Sequence, residues 1–215
     1  RYPNAKLTVL ATERNKDVFT GQKFIDRIKV LSLSPVAIIR FIIKNFRKYD
    51  LAIDMEEYLN ISAIIARCAG KFRLGYSHML RSWLYDKTVV YNDQQHCSET
   101  FADLIRSLGA NIDISERLIP LYNTQHDRMI VDQLLRQNAL KKKYFVAIAP
   151  GVAESSKNRL WPKERFAELA DRLYEQGSQI AFIGAKNELP LIEKIKGLMK
   201  KKAANLSGKT SLPQT

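Results

Sequence analysis

Tyr144-Phe145-Val146-Ala147-Ile148-Ala149-Pro150-Gly151 is an apolar run of strand length that ends on Pro-Gly, and the rest of the chain reads outward from it. A polar loop over 150–160 follows. Residues 162–175 then repeat their apolar positions at helical spacing, and Gly177 closes that segment. Residues 179–183 form a second strand pattern, 188–199 a second helix and 203–206 a third strand. Strands alternating with helices through short connections predict a parallel, doubly wound sheet, and so the α/β class.

The N-terminal part repeats the same alternation. Residues 6–11 read as a strand, and Ser34-Pro35 as a helix start with Pro in the first turn. Tyr49–Asp54 is a short apolar run, and a helix over 57–69 stops at Gly70. Residues 72–76 and 87–91 are strand-like, 97–108 form a helix stopped by Gly109, and 127–139 form another helix. The pattern restarts at the lysine run Lys141-Lys142-Lys143, so the expected boundary lies near Leu140, with domains over 1–140 and 141–215.

Composition narrows the class. Among 215 residues, 46% are hydrophobic and 27% charged, which excludes general disorder. The longest apolar stretch, Val36–Ile43, is broken by Arg40 and falls short of the ~20 residues that span a bilayer. Two cysteines, Cys68 and Cys97, are too few for a disulfide framework and fit a reducing, cytoplasmic setting. The net charge of +13 is densest over 141–215 and leaves three partners open: an anionic ligand, an anionic membrane surface or nucleic acid. Solvated lysines on helix faces are the favoured account of Lys141–Lys143 and Lys200–Lys202.

The loop after the quoted strand carries the chemistry. It combines Gly151, which permits close approach, with the hydroxyls of Ser155 and Ser156, the cations Lys157 and Arg159, and a helix beginning at Pro162. Ligands of open α/β sheets bind outside the carboxyl ends of the strands. A helix N-terminus adds unpaired N–H groups and partial positive charge, and Arg can grip a phosphate with two parallel bonds. The pattern fits a pyrophosphate site without a glycine fingerprint; it fits a solvated loop with incidental charges equally well.

Arg159-x-Trp161-Pro162-x-Glu164-Arg165-Phe166-Ala167-Glu168-Leu169, preceded by Pro150-Gly151, resembles glycosyltransferase family nine, the ADP-heptose:lipopolysaccharide heptosyltransferases. Tyr49–Asp54, Arg73-Leu74-Gly75-Tyr76, Phe182-Ile183-Gly184-Ala185-x-x-Glu188 and Asn205–Leu212 match further family segments in the same order. The resemblance implies a GT-B type fold of two Rossmann-like domains with parallel sheets, acceptor-side first and nucleotide-sugar-side second. It implies inverting transfer of a heptose-like sugar from an ADP-sugar to a lipopolysaccharide-core or other glycan or glycolipid acceptor, with no cofactor or metal.

By position, the resemblance places Arg159, where the family usually has Lys, on the nucleotide phosphates, with Ser155 nearby. It places Glu188 on the ribose and Thr210 against the adenine; Gly151, Ser156, Lys157 and Lys209 complete the expected nucleotide-sugar set. Trp161 and Pro162 are expected to pack the loop and set the helix start. Two pieces of the family pattern are absent: a Gly-Asp whose Asp is the candidate base would precede Arg1, and an Asp-Ser/Thr-Gly-x-x-His would follow Thr215. The resemblance therefore implies that both domains are truncated, that the catalytic base is outside these residues, and that the chain alone is inactive.

On the acceptor side, Asp54, Glu56, Arg73 and Arg81 are candidates. An acidic helix cap explains the first two as readily, and solvated surface explains the arginines. Gly208-Lys209-Thr210 lacks the leading glycine of a P-loop, since that position is Ala203. His78, His96 and His126 lack metal-ligand spacing. The competing function is a non-catalytic basic module for nucleic acid or an anionic membrane; no RNA-binding aromatic stripe or helix-turn-helix supports nucleic acid. The basic helix over 40–48 would also allow peripheral contact with the inner membrane face, although a crossover helix explains it too.

Overall fold

A computed structural model describes residues 4–114 and 119–215, leaving the side chains of Met79, Glu154 and Ser155 outside the description. The chain divides into two compact units, residues 1–120 and 121–215. Every described strand pairing is parallel, as the α/β reading requires.

In the first unit, β1 (Thr8–Ala11) is followed by a single-turn α1 (Lys16–Phe19) and β2 (Arg27–Val30), which pairs with β1. β2 and α1 were not expected from sequence, because four residues of mixed polarity give too short a period to register. α2 (Pro35–Asn45) starts as predicted: Ser34 Oγ accepts from the Ala37 N–H at 3.3 Å, with Pro35 in the first turn. Then come β3 (Tyr49–Ile53), α3 (Asn60–Ala69), β4 (Gly70–Tyr76), β5 (Lys87–Val89) and α4 (Cys97–Arg106), the strands ordered β3-β4-β5.

α3 begins three residues later than its apolar pattern suggests. The Glu56 N–H donates to Asp54 Oδ1 at 3.1 Å and the Tyr58 N–H to Glu56 Oε1 at 3.2 Å. These local side-chain acceptors hold the backbone in turns and compete with the helix. The sheet buries Leu74 and Tyr76 against Leu104 of α4 on one face and packs Ala63 and Ala66 of α3 with Tyr85 on the other.

The second unit contains α5 (Gln125–Gln137), β6 (Phe145–Ile148), α6 (Lys163–Glu175), β7 (Gln179–Phe182), α7 (Leu189–Leu198) and β8 (Ala204–Asn205), with strand order β6-β7-β8. The units part after Pro120, not near Leu140. The reason is packing: Leu135 of α5 and Leu140 share a buried cluster with Ala181 of β7 and Leu206. Gln179 Nε2 donates to Ala139 O at 2.7 Å, which ties the end of that segment to β7. α5 thus belongs to the second unit. On the other face, Ile148, Phe182, Ile192 and Ile195 pack with Ala167 and Ala170, each large side chain contributing about 1.5–3 kcal/mol by burial.

Candidate functional site

The carboxyl ends of β6, β7 and β8 each run into a glycine: Gly151, Gly184 and Gly208. Two of them make room for one carboxylate. A Cβ on Gly151 would lie 1.6 Å from Glu188 Oε1, and one on Gly184 would lie 2.3 Å from Glu188 Oε2. Glu188 Oε2 also accepts from the Ala185 N–H at 2.7 Å, which fixes its orientation. Gly208 has φ +67, and its N–H donates to Gly184 O at 2.8 Å, joining the third strand end to the second. A side chain there would meet the Lys186 backbone at 3.0 Å.

Between β6 and α6 the chain makes a short 3₁₀ segment, Glu154–Arg159, kinked at Ser156 (φ −126, ψ 24). The Ser156 N–H donates to Ala153 O at 2.8 Å and the Leu160 N–H to Lys157 O at 3.1 Å. Lys157 and Arg159 are exposed and Ser156 is half-buried; the Ser155 side chain lies outside the described groups. Trp161 packs edge-on against Phe166 at 5.0 Å, which anchors the loop to the first turn of α6, the role expected of it. α6 starts directly after Pro162, so its first N–H groups lack intrahelical acceptors.

The structure thus brings Gly151 and Glu188 into contact and places Ser156, Lys157 and Arg159 on the loop that joins Gly151 to α6. It gives Lys209 other neighbours: a shallow depression beside β8 formed with Asn138, Glu193, Lys196 and Asn205. Hydrogen bonding from Asn205 is the main reason the Glu193 carboxyl sits below the usual range. Thr210 Oγ1 lies 3.1 Å from Thr215 Oγ1.

The four acceptor-side candidates of the first unit lie in a different environment. Asp54, Arg73 and Arg81 are 7%, 7% and 2% exposed, so solvated surface does not describe the arginines. Arg81 pairs with Asp54 at 2.9 Å, and Tyr85 Oη donates to the same carboxylate at 2.6 Å. Burial, reinforced by that carboxylate, raises the Tyr85 phenol well above its ordinary range. Arg73 pairs with Asp86, which also accepts from the Arg73 N–H at 2.8 Å. Asp54 and Glu56 accept from backbone N–H groups of the turn ahead of α3, whose own N-cap, Leu59, has no side-chain cap, so neither acid caps the helix.

Sequence reasoning did not join the members of a neighbouring set. Glu57 follows β3, His78 follows β4 and Tyr91 follows β5, on three adjacent strands. Glu57, as hydrogen-bond acceptor and as charge, pushes the Tyr91 phenol up to about 12 and raises that of Tyr58. The signal lay in the strand ends: residues that follow neighbouring parallel strands come to one edge of the sheet whatever their distance in sequence.

Parallel sheets in both units, with glycines after the carboxyl ends of the second unit's strands and a cationic loop entering a helix, define an α/β protein of GT-B type. The family model for glycosyltransferase family 9 (heptosyltransferase) matches residues 40–215, and the chain belongs to that family. It is 25% identical over 177 residues to the lipopolysaccharide core heptosyltransferase OpsX of Haemophilus influenzae, covering 78% of this chain and 48% of that protein. It shares its fold with the family 9 glycosyl transferase of Veillonella parvula (TM-score 0.82, 19% identity, 99% of this chain and 63% of that one). It also shares it with E. coli heptosyltransferase WaaC with ADP (TM-score 0.66, 21% identity, 98% and 66%). The chain spans about half the length of the curated relative it matches.

Proposed function

We propose that the protein serves inverting transfer of a heptose-like sugar from a nucleoside-diphosphate donor, an ADP-sugar, to a hydroxyl of a lipopolysaccharide-core or related glycan. The observation that carries this reading is the Glu188 carboxylate seated between Gly151 and Gly184 at the carboxyl edge of β6 and β7, next to a loop bearing Lys157 and Arg159. Glu188 accepts from the ribose hydroxyls. Ser156, Lys157, Arg159 and the first N–H groups of α6 receive the diphosphate, with Ser155, Lys209 and Thr210 completing the nucleotide contacts.

In the transfer, the acceptor oxygen forms a bond to the anomeric carbon as the bond from that carbon to the diphosphate breaks. Negative charge grows on the leaving oxygen, where the two cations and the helix N-terminus stabilise it. The acceptor hydroxyl gives its proton to a carboxylate base, which the reading places outside this loop, and no role is assigned to a metal.

Support for the donor comes from the ADP held by WaaC, and support for the acceptor class from the name of OpsX. Isothermal titration of the protein with ADP tests the reading, with Arg159→Ala and Glu188→Gln alongside. Binding weakened about tenfold by either change is the expected result. ADP binding indifferent to both variants overturns it.

One surface favours an accessory contact with an anionic bilayer face. On α2, Val36, Ile39 and Ile43 are 71%, 58% and 73% exposed, with Arg40 and Lys44 among them. Among the described residues no helix is long and apolar enough to cross a membrane. Co-sedimentation with phosphatidylglycerol vesicles, lost in Ile39→Glu, checks the contact.

A further inference from the structure

Two lysine runs that stand far apart in sequence meet on one edge of the second unit. Lys141–Lys143 stand just ahead of β6, and Lys200–Lys202 are separated from β8 by Ala203 alone. β7 pairs in parallel with both strands, Phe145 opposite Gln179 and Ala181 opposite Ala204. The runs therefore flank the start of β7 at the amino edge of the sheet, the end of the strands remote from Gly151, Gly184 and Gly208. Neither run lies on a helix face, since α5 ends at Gln137 and α7 at Leu198, which corrects that part of the sequence reading. Two strand spacings separate the runs by about 10 Å. That is close to the screening length of about 10 Å at 0.1 M salt, so the fields of the two runs add.

Both runs have their backbones pinned while all six lysines are exposed. The Lys141 N–H donates to Gln179 Oε1 at 2.7 Å, and the Lys200 and Lys201 N–H groups donate to the Asp171 carboxylate at 2.9 and 2.8 Å. Lys142 pairs with Asp132 and Lys201 with Glu175, so together with Asp171 these carboxylates offset only half of the positive charge. Lys143 holds φ at +67, a region easier for glycine than for lysine. The pull of a helix C-terminus on cations falls off within its last turn, and both runs lie past the ends of α5 and α7. Beside the ammonium groups, Tyr144, Tyr174 and Leu198 are 68%, 40% and 47% exposed.

We infer that the amino edge of the second unit's sheet seats on an anionic lipid bilayer, with the lysines at the headgroup phosphates and Tyr144, Tyr174 and Leu198 at the interface. Tyrosine is enriched at the level of the headgroups, its ring apolar and its hydroxyl wet. Each lysine held near a negatively charged leaflet strengthens binding about fivefold. All six cations are lysines. Lysine is a hydrated point charge suited to a diffuse negative surface, whereas the arginine that grips single phosphates of a nucleic acid with two parallel bonds is absent from both runs. The carboxyl edge, where Glu188 sits, is the opposite end of the same strands and stays open to a solute. The seat is independent of the nucleotide assignment. It belongs to a different unit from α2, and its attraction is electrostatic where that of α2 is apolar; two weak anchors of different kinds hold a protein on a bilayer where one gives marginal binding.

Co-sedimentation of the full chain over a titration of equimolar phosphatidylglycerol and phosphatidylcholine vesicles tests the seat. In about 0.1 M salt, Lys141→Gln, Lys143→Gln, Lys200→Gln and Lys202→Gln combined are expected to weaken binding at least about a hundredfold, and the pair from either run alone about twentyfold. The combined loss shrinks towards nothing in about 1 M salt, where charges are screened within a few ångströms. Ile39→Glu still weakens binding there, because an apolar contact is not screened, so the two anchors are read separately. An unchanged far-UV circular dichroism spectrum and urea midpoint show that the four surface changes leave the fold intact. The seat is overturned if the fourfold variant binds these vesicles like wild type, whatever Ile39→Glu does, or if wild type binds pure phosphatidylcholine vesicles equally well. It is also overturned if only one run contributes, or if the same four lysines hold a short DNA duplex more tightly than they hold the vesicles, which assigns the edge to nucleic acid.

Discussion

The two units treat charge at their strand ends in opposite ways. In the first, Asp54, Arg73 and Arg81 are buried, and each finds its counter-charge within the unit. In the second, the strand ends are glycines, and Lys157 and Arg159 stand exposed on the following loop. Pairing before any ligand arrives converts a charge into architecture, because a desolvated guanidinium cannot leave its carboxylate without stranding both. An exposed cation at a helix entry stays within reach of a solute. Strand-end location alone therefore does not mark a binding residue; burial decides which unit's cations a solute can reach.

The largest effect expected from this contrast is on stability. Arg81→Ala leaves Asp54 buried beside Tyr85 without its cation, and a loss of about 3–5 kcal/mol is expected in urea unfolding of the first unit. Arg159→Ala, a change of the same residue type, is expected to shift unfolding by less than about 0.5 kcal/mol while weakening ADP about tenfold. If Arg159→Ala instead unfolds the protein and Arg81→Ala leaves the urea midpoint unmoved, the contrast collapses.

Gly151→Ala probes the second unit without touching a charge. The new methyl group falls on the Glu188 carboxylate, the far end of a flexible side chain, so the carboxylate moves while the strands stay in place. ADP affinity is expected to fall several-fold in calorimetry, against a melting temperature within a few degrees of wild type. Glu188→Gln combined with Gly151→Ala should then cost little more than either alone, since both act on one contact. Additive losses would show that Gly151 acts on something other than Glu188.

How far the sequence foretold this contrast depends on which forces act locally. The strand–loop–helix of 144–175 was legible because apolar period, Pro162 and Gly177 all point the same way. The start of α3 was not, because Asp54 and Glu56 bind the backbone of their own turn, a competition that apolar spacing does not record. Arg73 and Arg81 were legible as cations but not as buried ones. Their partners Asp86 and Asp54 lie 13 and 27 residues away, and only the parallel register of β3, β4 and β5 brings them together. The domain boundary was misplaced for a similar reason: Leu135 and Leu140 face strands that come later in the chain. Glu57 and Tyr91 went unremarked as a pair because nothing in their spacing links them.

The smallest expected effect concerns a carboxylate that is fixed without being buried. Asp127 closes a capping box at the start of α5: its own N–H donates to Thr124 Oγ1 at 3.1 Å, and its Oδ2 accepts from the Thr124 N–H at 2.9 Å. Those Thr124 bonds, with help from Gln214, pull its pKa from 3.8 to about 2. A depressed folded-state pKa means a contribution fully present above pH about 4 and lost as the pH falls towards 2. Asp127→Asn is expected to be less stable than wild type at pH 6, with the gap closing between pH 4 and 2 in thermal melts of the second unit. A gap of constant size across that range would mean that the cap works through its geometry alone, and that the ionised carboxylate adds nothing at this exposed helix start.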